Sequence, residues 1–511
     1  MASCAAVSVQ KGAPSIAWAL AGRFLRVSFT DLIFLAILLW TVILPKHGWA
    51  RLLWDADAGL HTRIGDFILQ NGYVPTTDPF SFTRHGTHWL ATEWLTGVLF
   101  SLLHSRFGLK GIVFICGVAI AATLVVVLRT CVLRGANAFI ALVGVLLTAN
   151  ASSFHYLARP HVFTWLFLAM SMWLLRADEI RPSKQVWWIV PLTAVWANLH
   201  GGFAVIFAVL GVMIAGAVFE HGWNAVRTRR LALVTAACGL ASTANPFGWK
   251  LHLETLRYLQ NKSVLNTIQE FAAPNFRSEP QMYFLVLLFA GLVICGLLAR
   301  ERRYTDALLI LTFAYFALFS QRHIPIYAIV AVPITARTWS AAWTKWVSLQ
   351  PVKSTAAIVQ DVSRTLQGAM AAPGLWSVLP VVAFFCLTGQ AYWPQDFPAD
   401  RFPVDIARRQ AEALAASRLF TTDQWADYLM FKNPAQRVFV DDRCLYDDAI
   451  VKDALNLMDA GPGWRELVQK YGINAILCPA GTLLALELAK DPHWTLLDTD
   501  GTRVVFKAET V

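Results

Sequence analysis

Residues 54–94, WDADAGLHTRIGDFILQNGYVPTTDPFSFTRHGTHWLATEW, carry the densest group of polar side chains in an otherwise strongly apolar sequence. Asp57 and His61 are four residues apart, so a helix would place both side chains on one face. On such a face a carboxylate can orient an imidazole, share its proton or help to bind a metal. The alternative interpretation is an amphipathic helix at a membrane interface with ordinary solvated charges.

The composition is that of an integral membrane protein. The chain has 511 residues, of which 56% are hydrophobic and 15% charged, and its mean hydropathy is +0.49. The formal net charge of +10 does not indicate nucleic acid as a partner, because Lys and Arg occur in short clusters between apolar runs, as in cytoplasmic loops. Residues 1–22 lack a long apolar core, so we expect no cleaved signal peptide.

Apolar runs and basic flanks predict an α-helical polytopic protein with about eleven transmembrane helices. The predicted spans are 30–46, 109–128, 136–151, 161–175, 186–199, 202–219, 231–244, 282–299, 304–320, 324–338 and 374–392. We interpret 95–107 as a short interfacial helix, because a full span there would invert every later loop. The predicted organisation is therefore a cytoplasmic segment (1–29), a transmembrane domain (30–392) with a large first external loop (47–107), and a C-terminal domain (393–511).

The C-terminal domain has more charges and shorter periodic segments than the rest of the chain. We expect helices at 403–417, 463–471 and 482–490, and strands at 437–441, 474–478, 494–498 and 503–507, which together indicate a small external α/β domain. A disulfide between Cys444 and Cys478 is an option in an exported domain. The sequence has no phosphate-binding glycine loop here and no zinc-spaced set of Cys and His anywhere.

Several polar motifs lie at the predicted outer ends of helices. They are Arg159-Pro160-His161, Asn198-Leu199-His200, Glu270 and Arg322-His323. Ionisable residues at membrane depth are costly unless they are paired or functional, so their convergence on one side predicts a site that faces the outside. The alternatives are that the two arginines reach lipid headgroups and that the histidines are simply solvated.

This arrangement of loop, helices and exported domain resembles the GT-C superfamily of polyprenyl-phosphate-sugar-dependent membrane glycosyltransferases. Residues 54–94 are similar to the first loop of an uncharacterised bacterial group within it. Later blocks of that group resemble ARPH (158–161), WANLHGG (196–202), NPFG (245–248), SQRHIP (320–325) and VFVDDRCLY (438–446). The resemblance implies transfer of a sugar from a polyprenyl-phosphate carrier to a glycan, lipid or protein acceptor. It also implies a multi-pass protein of the bacterial inner membrane whose active face and C-terminal domain are extracytoplasmic.

The resemblance also suggests roles for individual residues. A Trp-x-x-Asp pattern in the first loop of relatives matches Trp54 and Asp57, which makes Asp57 the candidate general base, with Asp55 second and His61 as an orienting group. The Asp-Glu pair of those relatives is Asp57-Ala58 here, and their second loop acid is replaced by Arg159. A divalent metal (Mg or Mn), with Asp57 and His61 as ligands, therefore stays open.

Other residues are candidates for binding the substrates. Arg159, Arg322 and His323 are candidates for the donor phosphate, because a guanidinium matches phosphate geometry and keeps its charge. The candidates for other substrate contacts are His161, Asn198, His200 and Glu270.

Two other classes of function compete with a transferase. A transporter or lipid flippase is disfavoured, because the sequence lacks paired halves with interrupted helices and its polar groups cluster at one face. A non-catalytic protein of envelope polysaccharide assembly would tolerate replacement of Asp57, whereas a transferase should lose turnover while still folding.

Overall fold

The computed structural model describes residues 27–44, 48–260, 268–371, 374–443 and 448–509. Cys444 lies outside these ranges, so its pairing with Cys478 is not addressed. Helices precede the C-terminal domain at α1 Phe29–Leu38, α2 Asp57–Asn71, α3 Trp94–Phe107, α4 Leu109–Leu133, α5 Ala138–Ala151, α6 His161–Ile180, α7 Ile189–Leu199, α8 Val205–His221, α9 Val226–Ala241, α10 Lys250–Gln260, α11 Glu279–Arg300, α12 Tyr304–Phe319, α13 Ile324–Val347, α14 Thr355–Ala371 and α15 Val378–Leu387.

Within the described ranges, three helical segments are both long and apolar enough to cross a membrane: Leu109–Leu133, Gly201–His221 and Glu279–Arg300. A helix overlaps each predicted span, but several are short, such as the 10-residue α15. Others carry charges, such as Arg176 in α6. The predicted count of about eleven transmembrane helices is therefore not confirmed, whereas a largely helical protein with a small C-terminal sheet is confirmed.

The long helix α4 lies at the centre of the bundle and contacts α1, α3, α5, α6 and α13. Its apolar side chains are buried around most of its circumference, as expected of a helix enclosed by others. Loop helix α2 packs against α3 through Gly65, where an added Cβ would lie 2.0 Å from the carbonyl oxygen of Gly97. Only glycine fits at this crossing, which holds α2 against α3.

A buried ionic cluster joins α4, α6 and α12 at the predicted cytoplasmic side. The Asp306 carboxylate pairs with Arg134 Nη2 at 2.9 Å, Arg176 Nη2 at 2.8 Å and Arg303 Nη2 at 2.7 Å. Buried charges are tolerated only when they are paired and hydrogen-bonded, so this carboxylate is required to neutralise the arginines around it.

The C-terminal domain is an α/β unit, as expected. It contains α16 Val404–Arg409, α17 Ala411–Ala415, β1 Leu419–Phe420, α18 Asp423–Lys432, α19 Asp448–Met458, α20 Trp464–Tyr471, β2 Ala475–Pro479, α21 Leu483–Leu488, β3 Trp494–Thr499 and β4 Arg503–Ala508. The sheet order is β1-β2-β4-β3, with β1 and β2 parallel and the other pairs antiparallel. The strand predicted at 437–441 is wrong, because Val438 makes only isolated bridges, to Leu419 and Ser81.

The C-terminal domain docks directly on the loop that the sequence predicts to be external. Helix α18 packs against α2, and the two share one apolar cluster. The buried members of this cluster are Leu60, Ile64, Ile68, Phe80, Ala91, Ala426, Met430 and Val438. The bridge between Ser81 and Val438 adds a backbone connection at the same interface. This docking places acidic residues of the C-terminal domain beside the start of α2.

Candidate active site

Three carboxylates meet where α2 begins. One oxygen from each of Asp55, Asp57 and Asp442 lies within 4.8 Å of the others, and we call these residues the acidic triad. Asp57 is the first residue of α2, where the helix dipole favours negative charge, and its backbone N–H donates to Asp55 Oδ1 at 2.9 Å. Sequence analysis missed Asp442. Its only signal was the paired Asp441-Asp442 within the VFVDDRCLY block.

Arg159 is embedded in this acidic group. Its Nη1 lies 3.1 Å from Asp55 Oδ2 and 2.7 Å from Glu270 Oε1, and its Nε contacts Asp57. The sequence placed Arg159 among the phosphate-binding candidates, and the structure engages its guanidinium with three carboxylates. The charge of Arg159 is therefore largely balanced by the protein itself.

The environment separates the acidic groups by pKa. Burial raises the pKa of Asp55 to about 7, although the charge of Arg159 opposes this shift. Burial also acts to raise the pKa of Glu270, but Arg159 and the neighbouring His155 outweigh it and lower the pKa to about 2. Glu270 is therefore ionised at neutral pH, whereas Asp55 binds or releases a proton near neutrality.

A fourth aspartate, contributed by the C-terminal domain, interacts electrostatically with the acidic triad. Asp427 on α18 is fully buried, and neither carboxylate oxygen has a hydrogen-bond partner among the described residues. Burial and then the charge of Asp442 raise its pKa, with a further contribution from Asp57. A buried carboxyl without a partner next to other carboxylates fits a site that accepts a cation. Carboxylate oxygens are the ligands that Mg²⁺ prefers, so the donor set fits the expected divalent metal.

A second polar cluster lies around Glu93. His61 Nε2 is 3.3 Å from Glu93 Oε2, and His200 Nε2 is 3.5 Å from Glu93 Oε1. His200 Nδ1 accepts hydrogen bonds from Gly202 N at 3.0 Å and Thr164 Oγ1 at 2.7 Å, so its proton lies on Nε2, toward Glu93. Burial acts to raise the pKa of Glu93, but the two histidines lower it to about 2. His61 shares α2 with Asp57 as expected, but it pairs with Glu93 and lies outside the acidic triad.

Arg322 differs from Arg159 in its surroundings. Its guanidinium lies over the ring of Phe271, 4.5 Å from the centroid, and Nη1 is 3.5 Å from the Tyr258 hydroxyl. Among the described residues it forms no ion pair with a carboxylate. The adjacent His323 places Nδ1 3.2 Å from the carbonyl oxygen of Phe316. The positive charge of Arg322 is therefore not balanced by direct pairing with any described carboxylate.

The remaining candidates make protein contacts. His161 Nε2 lies 2.9 Å from the carbonyl oxygen of His155. The Asn198 amide donates to Ala194 O and Ala244 O and accepts from Trp94 Nε1 at 2.8 Å. Trp94 and Asn198 also line a groove of about 610 Å³. A substrate-binding role for His161 and Asn198 stays a prediction.

His155 is a further candidate residue of the site, and sequence analysis missed it. Its ring is buried, with Nδ1 3.8 Å from Glu270 Oε1, and neither ring nitrogen has a hydrogen-bond partner among the described residues. Nothing in its sequence neighbourhood distinguishes it from an ordinary loop histidine.

Comparisons with solved structures identify similar folds. The chain superposes on AglB, the oligosaccharyltransferase of Archaeoglobus fulgidus solved with an inhibitory peptide and a dolichol-phosphate, with a TM-score of 0.56 and 11% identity over 94% of this chain and 74% of that one. An oligosaccharyltransferase of Archaeoglobus fulgidus solved with Zn and sulfate matches with a TM-score of 0.54 and 12% identity over 94% of this chain and 73% of that one. ArnT from Cupriavidus metallidurans in the apo state matches with a TM-score of 0.51 and 14% identity over 93% of this chain and 97% of that one.

No protein-family model and no curated protein matches the sequence. At these low identities the structural matches establish the fold alone, which this chain shares with AglB and ArnT. The resemblance predicted from the sequence blocks is thereby confirmed at the level of fold.

Proposed function

We propose that this protein transfers a sugar from a polyprenyl-phosphate carrier to a glycan, lipid or protein acceptor at the outer face of the bacterial inner membrane. The observation that carries the proposal is the convergence of Asp57, Asp55, Arg159 and Glu270 at the start of α2, on a fold shared with GT-C glycosyltransferases. A transfer of this kind needs a carboxylate beside the acceptor and a cation beside the leaving phosphate.

In the proposed reaction Asp57 is the general base. It takes the proton of the acceptor hydroxyl as that oxygen attacks the anomeric carbon from the side opposite the phosphate, which inverts the configuration. Arg159 orients the Asp57 carboxylate through its Nε contact and prevents it from turning away. Asp55 is the second candidate for the base, because its pKa of about 7 suits proton transfer at neutral pH.

Arg322 is the candidate that we favour for the donor phosphate. It lacks a carboxylate partner among the described residues, so its charge is available to the phosphate, whereas Arg159 is engaged by three carboxylates. A guanidinium offers two parallel N–H donors to phosphate oxygens and remains charged as the leaving group departs. His323, next to Arg322, is the second phosphate contact, and we assign His200, Glu270, His161 and Asn198 to the walls of the substrate site.

The acidic triad would hold a divalent metal, Mg²⁺ or Mn²⁺. When bound, the metal would supply positive charge that stabilises the leaving phosphate. This ligand set differs from the sequence expectation, since Asp442 takes the place of His61, whose ring pairs with Glu93.

The test is transfer of radiolabelled sugar from a panel of polyprenyl-phosphate sugars by the purified protein in lipid. Asp57→Asn should abolish transfer while donor binding persists. Asp405→Asn, an exposed carboxylate of the C-terminal domain with its side chain 57% exposed, is the matched control and should transfer like wild type. Transfer by Asp57→Asn at the wild-type rate would remove Asp57 as the base. Wild-type protein that moves labelled lipid across the bilayer without forming product would support the transporter alternative.

A further inference from the structure

The acidic triad is built by two parts of the chain that are far apart in sequence. Asp55 and Asp57 belong to the first external loop, whereas Asp442 belongs to the C-terminal domain. We propose that the C-terminal domain is an obligatory half of the reaction site, supplying Asp442 as a ligand for a divalent cation. In this proposal Gln424 and Arg443 are positioning residues that hold Asp442 against Asp55 and Asp57. The inference rests on the proposed function and deepens it.

Gln424 connects the two halves directly. Its Oε1 accepts a hydrogen bond from the backbone N–H of Ala56 at 2.9 Å, and its Nε2 donates to Asp442 Oδ2. Ala56 lies between the two loop aspartates of the triad. One side chain of α18 therefore fixes the distance between the backbone of the loop ligands and the carboxylate of the domain ligand.

Arg443 fixes the segment that carries Asp442. Its Nη1 lies 2.7 Å from Asp78 Oδ1, and its Nε and Nη2 form a bidentate pair with Asp441 at 2.8 and 2.6 Å. These side chains are at most 3% exposed, and the guanidinium also lies 4.6 Å from the ring centroid of Trp89. Because Asp78 belongs to the first external loop, Arg443 ties the neighbour of Asp442 to the same loop that supplies Asp55 and Asp57.

Asp427 is the independent observation that points to a ligand. Natural interiors rarely leave a carboxyl without a hydrogen-bond partner, yet both oxygens of Asp427 have none among the described residues. Asp442 and Asp57 are among the carboxylates that interact electrostatically with Asp427. Asp427 also shares helix α18 with Gln424. A cation between the domain and the loop would compensate this group together with the triad.

The experiment measures Mn²⁺ binding to the full-length protein in lipid nanodiscs, from the electron paramagnetic resonance signal of free Mn²⁺. Asp442→Asn should weaken binding by about a hundredfold and Gln424→Met by about tenfold, in the range seen when metal ligands and their supporting partners are replaced. Asp405→Asn and Gln469→Met are the matched controls, exposed residues in the same domain that should bind like wild type. Limited proteolysis checks that the domain stays docked in each variant.

A double variant distinguishes a positioning role of Gln424 from a general structural defect. If Gln424 acts through Asp442, adding Gln424→Met to Asp442→Asn should not lower the Mn²⁺ affinity further. A purely structural defect would lower the affinity of the double variant below that of Asp442→Asn. Arg443→Lys should retain more Mn²⁺ affinity than Arg443→Met, since it keeps a charge toward Asp78 and Asp441.

Equal Mn²⁺ affinity in Asp442→Asn and wild type would overturn the inference, as would a wild-type protein that binds no Mn²⁺ at millimolar concentration. A failure of the proposed function can be distinguished from a failure of this inference. If no donor supports sugar transfer but Mn²⁺ affinity follows Asp442 and Gln424, the cation site stands and the reaction assigned to it does not.

Discussion

Replacing Arg159 should strengthen cation binding, which is the reverse of the usual effect of removing a residue from an active site. Its guanidinium is 3.1 Å from Asp55 Oδ2 and also contacts Asp57, so it competes with a metal for two members of the acidic triad. Arg159→Gln removes that competition and a repulsive positive charge, and a neutral amide stays in its place.

The magnitude follows from the geometry. For a divalent cation about 5 Å from the guanidinium, Coulomb's law at an effective dielectric constant near 20 gives about 7 kcal/mol of repulsion. The Arg159 side chain is 21% exposed, so water screens part of this energy. A net gain of about 1.5–3 kcal/mol corresponds to about a 10- to 100-fold higher affinity.

The assay is Mn²⁺ titration of wild type, Arg159→Gln and Arg322→Gln in nanodiscs. Arg322→Gln is the control, because it removes a nearby positive charge that forms no ion pair with the described carboxylates, and its affinity should change much less. Thermal unfolding checks that Arg159→Gln remains folded, since Asp55, Asp57 and Glu270 then repel one another. A folded Arg159→Gln protein with unchanged or weaker Mn²⁺ affinity would refute the reasoning.

Three further outcomes are expected. Arg322→Gln should weaken binding of a polyprenyl-phosphate donor by about 10- to 100-fold, as expected for loss of a charge-assisted hydrogen bond, and Arg322→Lys by less; equal donor affinity in all three proteins would contradict the phosphate assignment. Asp306→Asn should lower the free energy of unfolding by about 3–5 kcal/mol, because it removes the carboxylate that pairs with the buried Arg134 and leaves the buried Arg176 with Glu179 as its carboxylate partner, whereas the exposed Glu301→Gln should leave the melting temperature unchanged. Burial lowers the pKa of His155 to about 4, from about 6.5 in an unfolded chain, so its contribution to stability is complete above pH 6.5 and is lost as the pH falls toward 4. His155→Gln should flatten the fall of melting temperature between pH 6.5 and 4, and an unchanged slope would show that other groups cause it.

The sequence predicts those parts of the fold that depend on local pattern. The apolar length of Leu109–Leu133 specifies a helix without reference to the rest of the chain. The four-residue spacing of Asp57 and His61 places both side chains on one face once residues 57–71 form a helix, as they do. By contrast, residues 437–441 have the β-branched and aromatic composition of a strand, yet Val438 forms only isolated bridges, to Leu419 and Ser81. Strand formation depends on which backbone segments lie alongside, and composition does not specify them.

The same distinction applies to the site. Arg159 and Glu270 were identified because charged residues at helix ends in an apolar chain are conspicuous. Asp442 lies in a domain where charges are common, and it reaches Asp57 only because α18 packs on α2 through side chains such as Met430 and Ile64. That packing depends on shape and on contacts distant in sequence, which no local pattern encodes. His155 was missed for a related reason, since its burial beside Glu270 depends on tertiary packing.

The docking of α18 on α2 also has a consequence for biosynthesis. The ribosome makes Asp55 and Asp57 early, but Asp442 and Gln424 only near the end of translation. The acidic triad is therefore incomplete while the helices insert into the bilayer, and it forms only after the C-terminal domain has been released, folded and seated on the loop. Under the proposed function, a chain truncated before this domain would keep the helical bundle but would lack Asp442 and Gln424, so its cation site would be incomplete.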